Sequence, residues 1–270
     1  MAKIKYGEKT LAEITTGQTL TLHLEGHEME HDIEIEGFAS AEGGGSGGGG
    51  TGGDMICTLA DPTIIGVSAF ASSSDLTSVY LPKATSIGVS AFAICKALTS
   101  IDLPNATSIG GRAFNECAGL TSIYLPLVTS IGSGAFYGCT SLFLVNAPLV
   151  TSVDAIAFYG CTALTLLDLP LATSIGDSAI QDSTSFDTLI LRNTETVCNL
   201  MVSALFGTKI LTAEGMPTGE GFVYVPTALY DSYVTSLVEQ VMLGGHDEAT
   251  ATYLVTAVLR KIEDYPEICG

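Results

Sequence analysis

The chain has 270 residues and a mass of 27.9 kDa, enough for one large domain or two or three small ones, and 47% of it is hydrophobic, ample for a buried core. Ten Lys and Arg against 29 Asp and Glu leave a net charge of −19, which repels a phosphate backbone and excludes nucleic acid as a partner. Charged residues make up only 14% of the chain and mean hydropathy is +0.42, so the surplus of small and apolar residues must sit on a regular scaffold, which points to a repeat.

No stretch approaches the roughly 18 uncharged apolar residues of a membrane span. Residues 1–17 lack the apolar core and cleavage site of a secretory signal, so the expectation is a soluble chain with no membrane insertion and no signal peptide. Residues 1–42 contain two alternating stretches, Thr19–Leu24 and His31–Glu36, around Gly26, which read as a hairpin in a small β module. His23, His27 and His31 are spaced as zinc ligands would be on a helix, but the local pattern is strand. In a hairpin His23 and His31 fall on opposite faces, so no metal is expected there. Gly43–Gly53 has nine glycines in 11 residues and reads as a flexible linker with nothing to pack.

Residues 54–191 carry the repeat. An Ala-Phe pair recurs at Ala69-Phe70, Ala91-Phe92, Ala113-Phe114, Ala135-Phe136 and Ala157-Phe158, a period of 22 residues. Other columns keep that step: Pro82, Pro104, Pro126, Pro148 and Pro170; Ile65, Ile87, Ile109, Ile131, Val153 and Ile175; Leu76, Leu98, Leu120, Leu142 and Leu164. The core Leu98-x-x-Ile101-x-Leu103 is the strand signature of a leucine-rich repeat. Period-two alternation turns Ile101 and Leu103 inward and Ser100 and Asp102 outward. One strand per 22 residues, stacked in parallel, joins the apolar columns into one core, with the Ile-Gly pair turning the chain toward a short Ala-Phe helical segment. Six turns, the last degenerate at Ala179-Ile180 and Phe186, give a block about 28 Å long.

The unit running from Leu98 through Cys117, L-T-S-I-D-L-P-N-A-T-S-I-G-G-R-A-F-N-E-C, resembles the BspA-like family of leucine-rich repeats over about residues 64–191. The resemblance implies adhesion or recognition on bacterial surfaces or in bacteriophage proteins, without catalysis. Gly221–Tyr233, with its Y-V-P-x-x-L-x-D-S-Y ending, and Lys261–Gly270 resemble the capping tail of that family. The stretch from Gly17 to Ile35 is similar to a short N-terminal module of phage tail and other virion-associated proteins. Within the cap, residues 192–270, the span Val234–Leu259 departs from the family pattern and reads as two helices, the second opened by Asp247 and Glu248 and closed by Arg260 and Lys261.

Seven cysteines, an odd number in a chain of this size, argue for reduced thiols. Cys95, Cys117, Cys139 and Cys161 share one column and read as small core hydrophobes, while the pairing of Cys57, Cys198 and Cys269 stays open. Catalysis has no visible machinery: His246 is the one histidine outside the N-terminal stretch, no phosphate loop is present, and Asp102 and Asp168, three strand steps apart, sit about 14 Å from each other. No enzyme activity and no cofactor are expected.

The outward strand positions carry whatever specificity the solenoid has. One column reads Tyr80, Asp102, Tyr124, Asn146, Asp168, Ile190, a mixture of aromatic, amide, carboxylate and apolar groups. The repeat breaks its own rule at Phe143-Leu144 and Leu166, where Thr and Ser are expected, giving an apolar patch that either meets a partner or lies under the C-terminal segment. The expected fold is therefore an α/β leucine-rich repeat solenoid with short parallel strands, a small N-terminal β module and a helical C-terminal cap. The expected function is non-enzymatic recognition of a host or bacterial surface protein or glycan by a phage virion-associated protein, in tail or decoration, or by an adhesin at the cell surface. The alternative is a structural spacer whose terminal modules drive homo-oligomerisation or contact virion neighbours.

Overall fold

A computed structural model describes residues 63–266 with their side chains, and the backbone of the strands Ala2–Tyr6, Lys9–Ile14, Leu20–Leu22, Ile33–Glu36 and Met55–Leu59. The solenoid is present, and each 22-residue coil contributes two strands where the sequence pattern predicted one. The Leu-x-x-Ile stretch forms the strands Leu76–Tyr80, Ser100–Asp102, Ser122–Tyr124, Leu144–Asn146, Leu166–Asp168 and Thr188–Ile190. The Ser-Ile pair, expected as part of a turn, forms a second ladder of two-residue strands from Ile64–Ile65 to Ser174–Ile175, closed by Asn199–Leu200, seven strands in all. Both ladders are parallel and in register, Ser78 facing Ser100 and Ser108 facing Ser130.

The second ladder runs unbroken. The first divides into a six-stranded sheet ending at Leu144–Asn146 and a four-stranded one made of Leu166–Asp168, Thr188–Ile190, Phe222–Val225 and Leu259–Lys261. The division falls at the least regular coil, where the usual inward Leu is replaced by Ala147.

The Ala-Phe segment is not helical, as the sequence suggested, but a run of turns. Two residues per coil have left-handed φ, one at 68, 90, 112, 134, 156 and 178 and one at 72, 94, 116, 138, 160 and 182. This backbone aims N–H groups at the next coil, as in Phe92 N to the Ala113 carbonyl at 2.7 Å and Ile94 N to the Asn115 carbonyl at 2.7 Å. Along the axis it forms a third hydrogen-bonded ladder, so the coil is tied to its neighbour on every side.

Inside lie continuous columns. Phe70, Phe92, Phe114, Phe136 and Phe158 stack with ring centroids 4.9–5.4 Å apart and planes within 7°. The sulfurs of Cys95, Cys117, Cys139 and Cys161 sit beside them, each thiol donating to the carbonyl of Phe70, Phe92, Phe114 or Phe136 at 3.0–3.1 Å. Ser183 continues the column, donating to the Phe158 carbonyl at 2.9 Å. All four thiols, and that of Cys198, are free and buried. Burial pushes the Cys95 and Cys161 thiols up to about 12 from the ordinary 9.0, and drives Cys117 and Cys139 upward as well.

The two ends are finished differently. At the start, Met55–Leu59 pairs in parallel with Leu76–Tyr80, and Leu20–Leu22 pairs in parallel with Met55–Leu59. Leu20–Leu22 therefore does not form the expected hairpin with the His31–Glu36 stretch: Ile33–Glu36 pairs antiparallel with Ala2–Tyr6, which also pairs with Lys9–Ile14. The open edge of a solenoid needs a strand, and that demand outweighs local pairing. His23, His27, His31, Gly43–Gly53 and Cys269, and the side chain of Cys57, lie outside the described residues.

At the far end, helix α1 (Tyr230–Leu243) and helix α2 (Glu248–Val258) pack Tyr233, Leu237, Val255 and Val258 against the core. Asp247 caps α2 by accepting from Thr250 N at 2.8 Å. Helix α1 also supplies hydrogen bonds to the last strand of the Ser-Ile ladder: Gln240 donates to the Leu200 carbonyl at 2.9 Å and accepts from Val202 N at 3.1 Å, and the Tyr233 hydroxyl accepts from Cys198 N at 2.9 Å. Arg260 and Lys261, expected as helix-terminal charges, belong instead to the final strand, beside Tyr224 and Val225.

Three expectations follow. Leu103→Ala, a fully buried position, lowers stability by roughly 2–5 kcal/mol in denaturant titration. Ile94 holds a left-handed φ of 63° at a position where later coils place Gly138 and Gly160, so Ile94→Gly raises the melting temperature, with a gain of up to about 1 kcal/mol. The thiols ionise in the unfolded chain near pH 9 but not in the folded one, so their contribution is complete below that pH and is lost as pH rises toward 12. Replacing all four column cysteines by Ser, as the chain itself does at Ser183, shallows this alkaline loss in pH-dependent unfolding.

Candidate functional site on the outward sheet face

The pairing register fixes two outward rows. One is Ser78, Ser100, Ser122 and Leu144, continued by Leu166, Thr188 and Phe222; the other is Tyr80, Asp102, Tyr124 and Asn146, continued by Asp168, Ile190, Tyr224 and Arg260. The two halves of these rows have opposite fates.

Over the later coils the face is covered from within the chain. Ile190 is 1% exposed and is not a surface residue, a correction to its reading as part of an open column. It packs with buried Tyr224 beneath Leu166, Phe222, Ile262 and Tyr265, with Tyr265 edge-on to Tyr224 at 5.4 Å. The physical reason is that the strand Leu259–Lys261 and the 3₁₀ turn Ile262–Asp264 bring the tail back across the sheet, where apolar Ile190 offers it a seat. Arg260 lies over the Phe222 ring at 3.9 Å from its centroid. Asp168 is half-buried and held by Arg192, whose Nε and terminal nitrogen reach both carboxylate oxygens at 2.9–3.0 Å. Asp168 is thus an ion-pair partner already engaged, and Leu166 is half under the cover.

Over the earlier coils the same face is open. Tyr80 is 43% exposed, Tyr124 55%, Phe143 55% and Leu144 50%, and Asp102 and Asn146 are exposed as well. The expected patch of Phe143, Leu144, Leu166 and Ile190 therefore splits at the boundary between the two sheets.

Two further columns, one exposed and one half-buried, went unread in the sequence. Leu127, Leu149 and Leu171 follow the conserved-spacing prolines and make a ridge along one corner. Tyr137 and Tyr159 stack at 5.1 Å on the turn side, with the Tyr159 hydroxyl bonded to Asp182, a bond that raises the tyrosine's pKa. The 22-residue spacing was the signal for both. No group of three or more potential metal ligands occurs among the described residues, and His246 is exposed in the turn between α1 and α2.

The split of the patch has a measurable consequence. Leu144→Ser restores the Ser of the earlier coils at an exposed site and leaves stability within about 0.5 kcal/mol, whereas Leu166→Ser costs roughly 1–2 kcal/mol because it weakens the seat of the tail. Chemical unfolding of the two single variants distinguishes them.

A model of the BspA type leucine rich repeat region matches residues 63–187 in six copies. No functionally curated protein matches the chain in sequence. Among solved structures, a leucine rich cell surface protein from Faecalibacterium prausnitzii A2-165 is 23% identical, covering 65% of this chain and 55% of its own length, with a TM-score of 0.48. The leucine rich repeat protein of T. pallidum is 20% identical over 62% of this chain and 64% of its own, at a TM-score of 0.40. A leucine-rich repeat protein from Bacteroides ovatus ATCC 8483 is 18% identical over 83% and 74%, at 0.42. This chain thus spans less than two thirds of the length of the first two proteins it matches. The 22-residue period, the in-register ladders and the six matched copies together identify residues 63–187 as a BspA-type leucine-rich repeat region.

Proposed function

We propose that the chain is a non-enzymatic recognition protein that engages a component of another cell's surface through the open half of the outward sheet face. The observation carrying this reading is the contrast within one face. Where the rows turn apolar over the later coils, the chain's own tail covers them, but Phe143 and Leu144, equally apolar, stay uncovered beside Tyr80, Asp102, Tyr124 and Asn146. A chain that can cover such groups and leaves two of them open has a surface suited to a partner. Tyrosine rings with few torsions, flanked by small hydroxyl side chains, make contact at low entropic cost.

The similarity of residues 17–35 to virion-associated modules supports placing this recognition on a phage particle, and the resemblance of the repeats to the BspA-like family supports placing it on a bacterial surface. No helix among the described residues is long and apolar enough to cross a membrane.

The test is adhesion of the fluorescently labelled full chain to a panel of bacterial and epithelial cells. Binding is expected to at least one type, and the double change Phe143→Thr with Leu144→Ser, which restores the Thr-Ser of neighbouring coils, is expected to weaken it about tenfold with an unchanged melting temperature. Absence of binding to every cell type, or adhesion indifferent to the open face, would reject the reading in favour of a passive spacer.

A further inference from the structure

The open half of the second row has a chemistry of its own. Tyr80 and Tyr124 are each register partners of Asp102, and Tyr124 of Asn146, so ring, carboxylate, ring and amide follow one another across four adjacent strands. The two rings stand two strand steps apart, about 9–10 Å, with the carboxylate between them. Alongside runs the serine row, in which Ser100 donates to Ser78 at 3.0 Å.

Asp102 makes no side-chain hydrogen bond or ion pair among the described residues, whereas its counterpart Asp168 is gripped by Arg192. An exposed carboxylate left unpaired between two tyrosine rings is a ready acceptor for donors presented from outside.

We infer that the row Tyr80, Asp102, Tyr124 and Asn146 binds a neutral oligosaccharide lying along the solenoid axis, an inference that rests on the recognition role proposed above. A pyranose presents an apolar C–H face, which stacks on a tyrosine ring, and adjacent hydroxyls on its rim, which donate together to a carboxylate. One sugar unit is about as long as one strand step, so a chain of sugars laid across the strands meets the row in step. Asn146 supplies both a donor and an acceptor for a hydroxyl at the far end. The charge selects among glycans: the free carboxylate of Asp102, on a chain of net charge −19, repels sialylated and sulfated sugars. The apolar pair Phe143 and Leu144 borders the row and gives the glycan's carrier a place to rest.

The experiment uses the labelled full chain on a printed array of neutral, sialylated and sulfated oligosaccharides. In parallel, the cells that bind are treated with periodate, which cleaves vicinal diols, or with protease. The expected results are retention on neutral members only, about tenfold weaker binding for Tyr80→Ala or Tyr124→Ala, a several-fold loss for Asp102→Asn, and loss of adhesion after periodate. All three side chains are exposed, so unchanged melting temperatures certify that the variants fold. Adhesion that survives periodate but not protease overturns the glycan in favour of a protein partner, and array binding indifferent to the tyrosine changes overturns this row as the binding site; both leave recognition standing. Failure of every cell type to bind rejects the recognition role itself, whatever the array shows.

Discussion

The rest of this structure depends on one geometric requirement: every coil must repeat its neighbour's backbone one hydrogen-bond step further along the axis. A 22-residue unit satisfies it by pairing on three sides, with the Leu-x-x-Ile strands, the Ser-Ile strands and the left-handed turns each donating to the adjacent coil. Once the step is fixed, like residues fall on like residues. The phenylalanine rings stack because their backbones already do, and each cysteine thiol finds the carbonyl of a phenylalanine one coil away. The same step places the threonines in a row, Thr107 donating through its hydroxyl to the Thr85 carbonyl at 3.0 Å. The core is assembled from columns, so each residue type recurs where it packs against itself.

Such a stack has no natural end, and the chain finishes each side with elements of its own. The start is extended by the strands Met55–Leu59 and Leu20–Leu22. The far end uses two devices. Helix α1 supplies the polar groups of Gln240 and Tyr233 where the next Ser-Ile strand would have been, and the sheet bearing the outward rows continues through Phe222–Val225 and Leu259–Lys261. Apolar burial and backbone satisfaction are thus met by different elements of the same cap.

The capping arrangement is also what gives the outward face its polarity. A tail seated on Ile190 and Tyr224 removes the later coils from solvent, and the Asp168–Arg192 pair closes the margin of that covered zone. What is left is a strip about four strands wide, rich in tyrosine, serine, asparagine and carboxylate, with two apolar side chains at its border. Its groups are exposed and held on strands, so a ligand would not have to order them, a condition that lowers the entropic cost of binding.

The sequence by itself determined the period, the parallel stacking, the inward columns, the buried thiols and the two C-terminal helices, because a repeat writes its geometry many times and each column is read against its own copies. It also located the outward column from Tyr80 to Asp168. The Ser-Ile strands were missed because two residues are too few to show alternation, and the Ala-Phe turns because left-handed φ at Ser, Arg and Ile leaves no mark in composition. Only the tertiary structure decided which part of the outward face is open. Ile190 looks like any other outward residue until Ile262 and Tyr265, more than seventy positions later, are brought onto it by a strand whose place in the sheet no local pattern encodes. Burial at that site depends on contacts distant in sequence, and those follow from how the stack is ended and not from the rule by which it repeats.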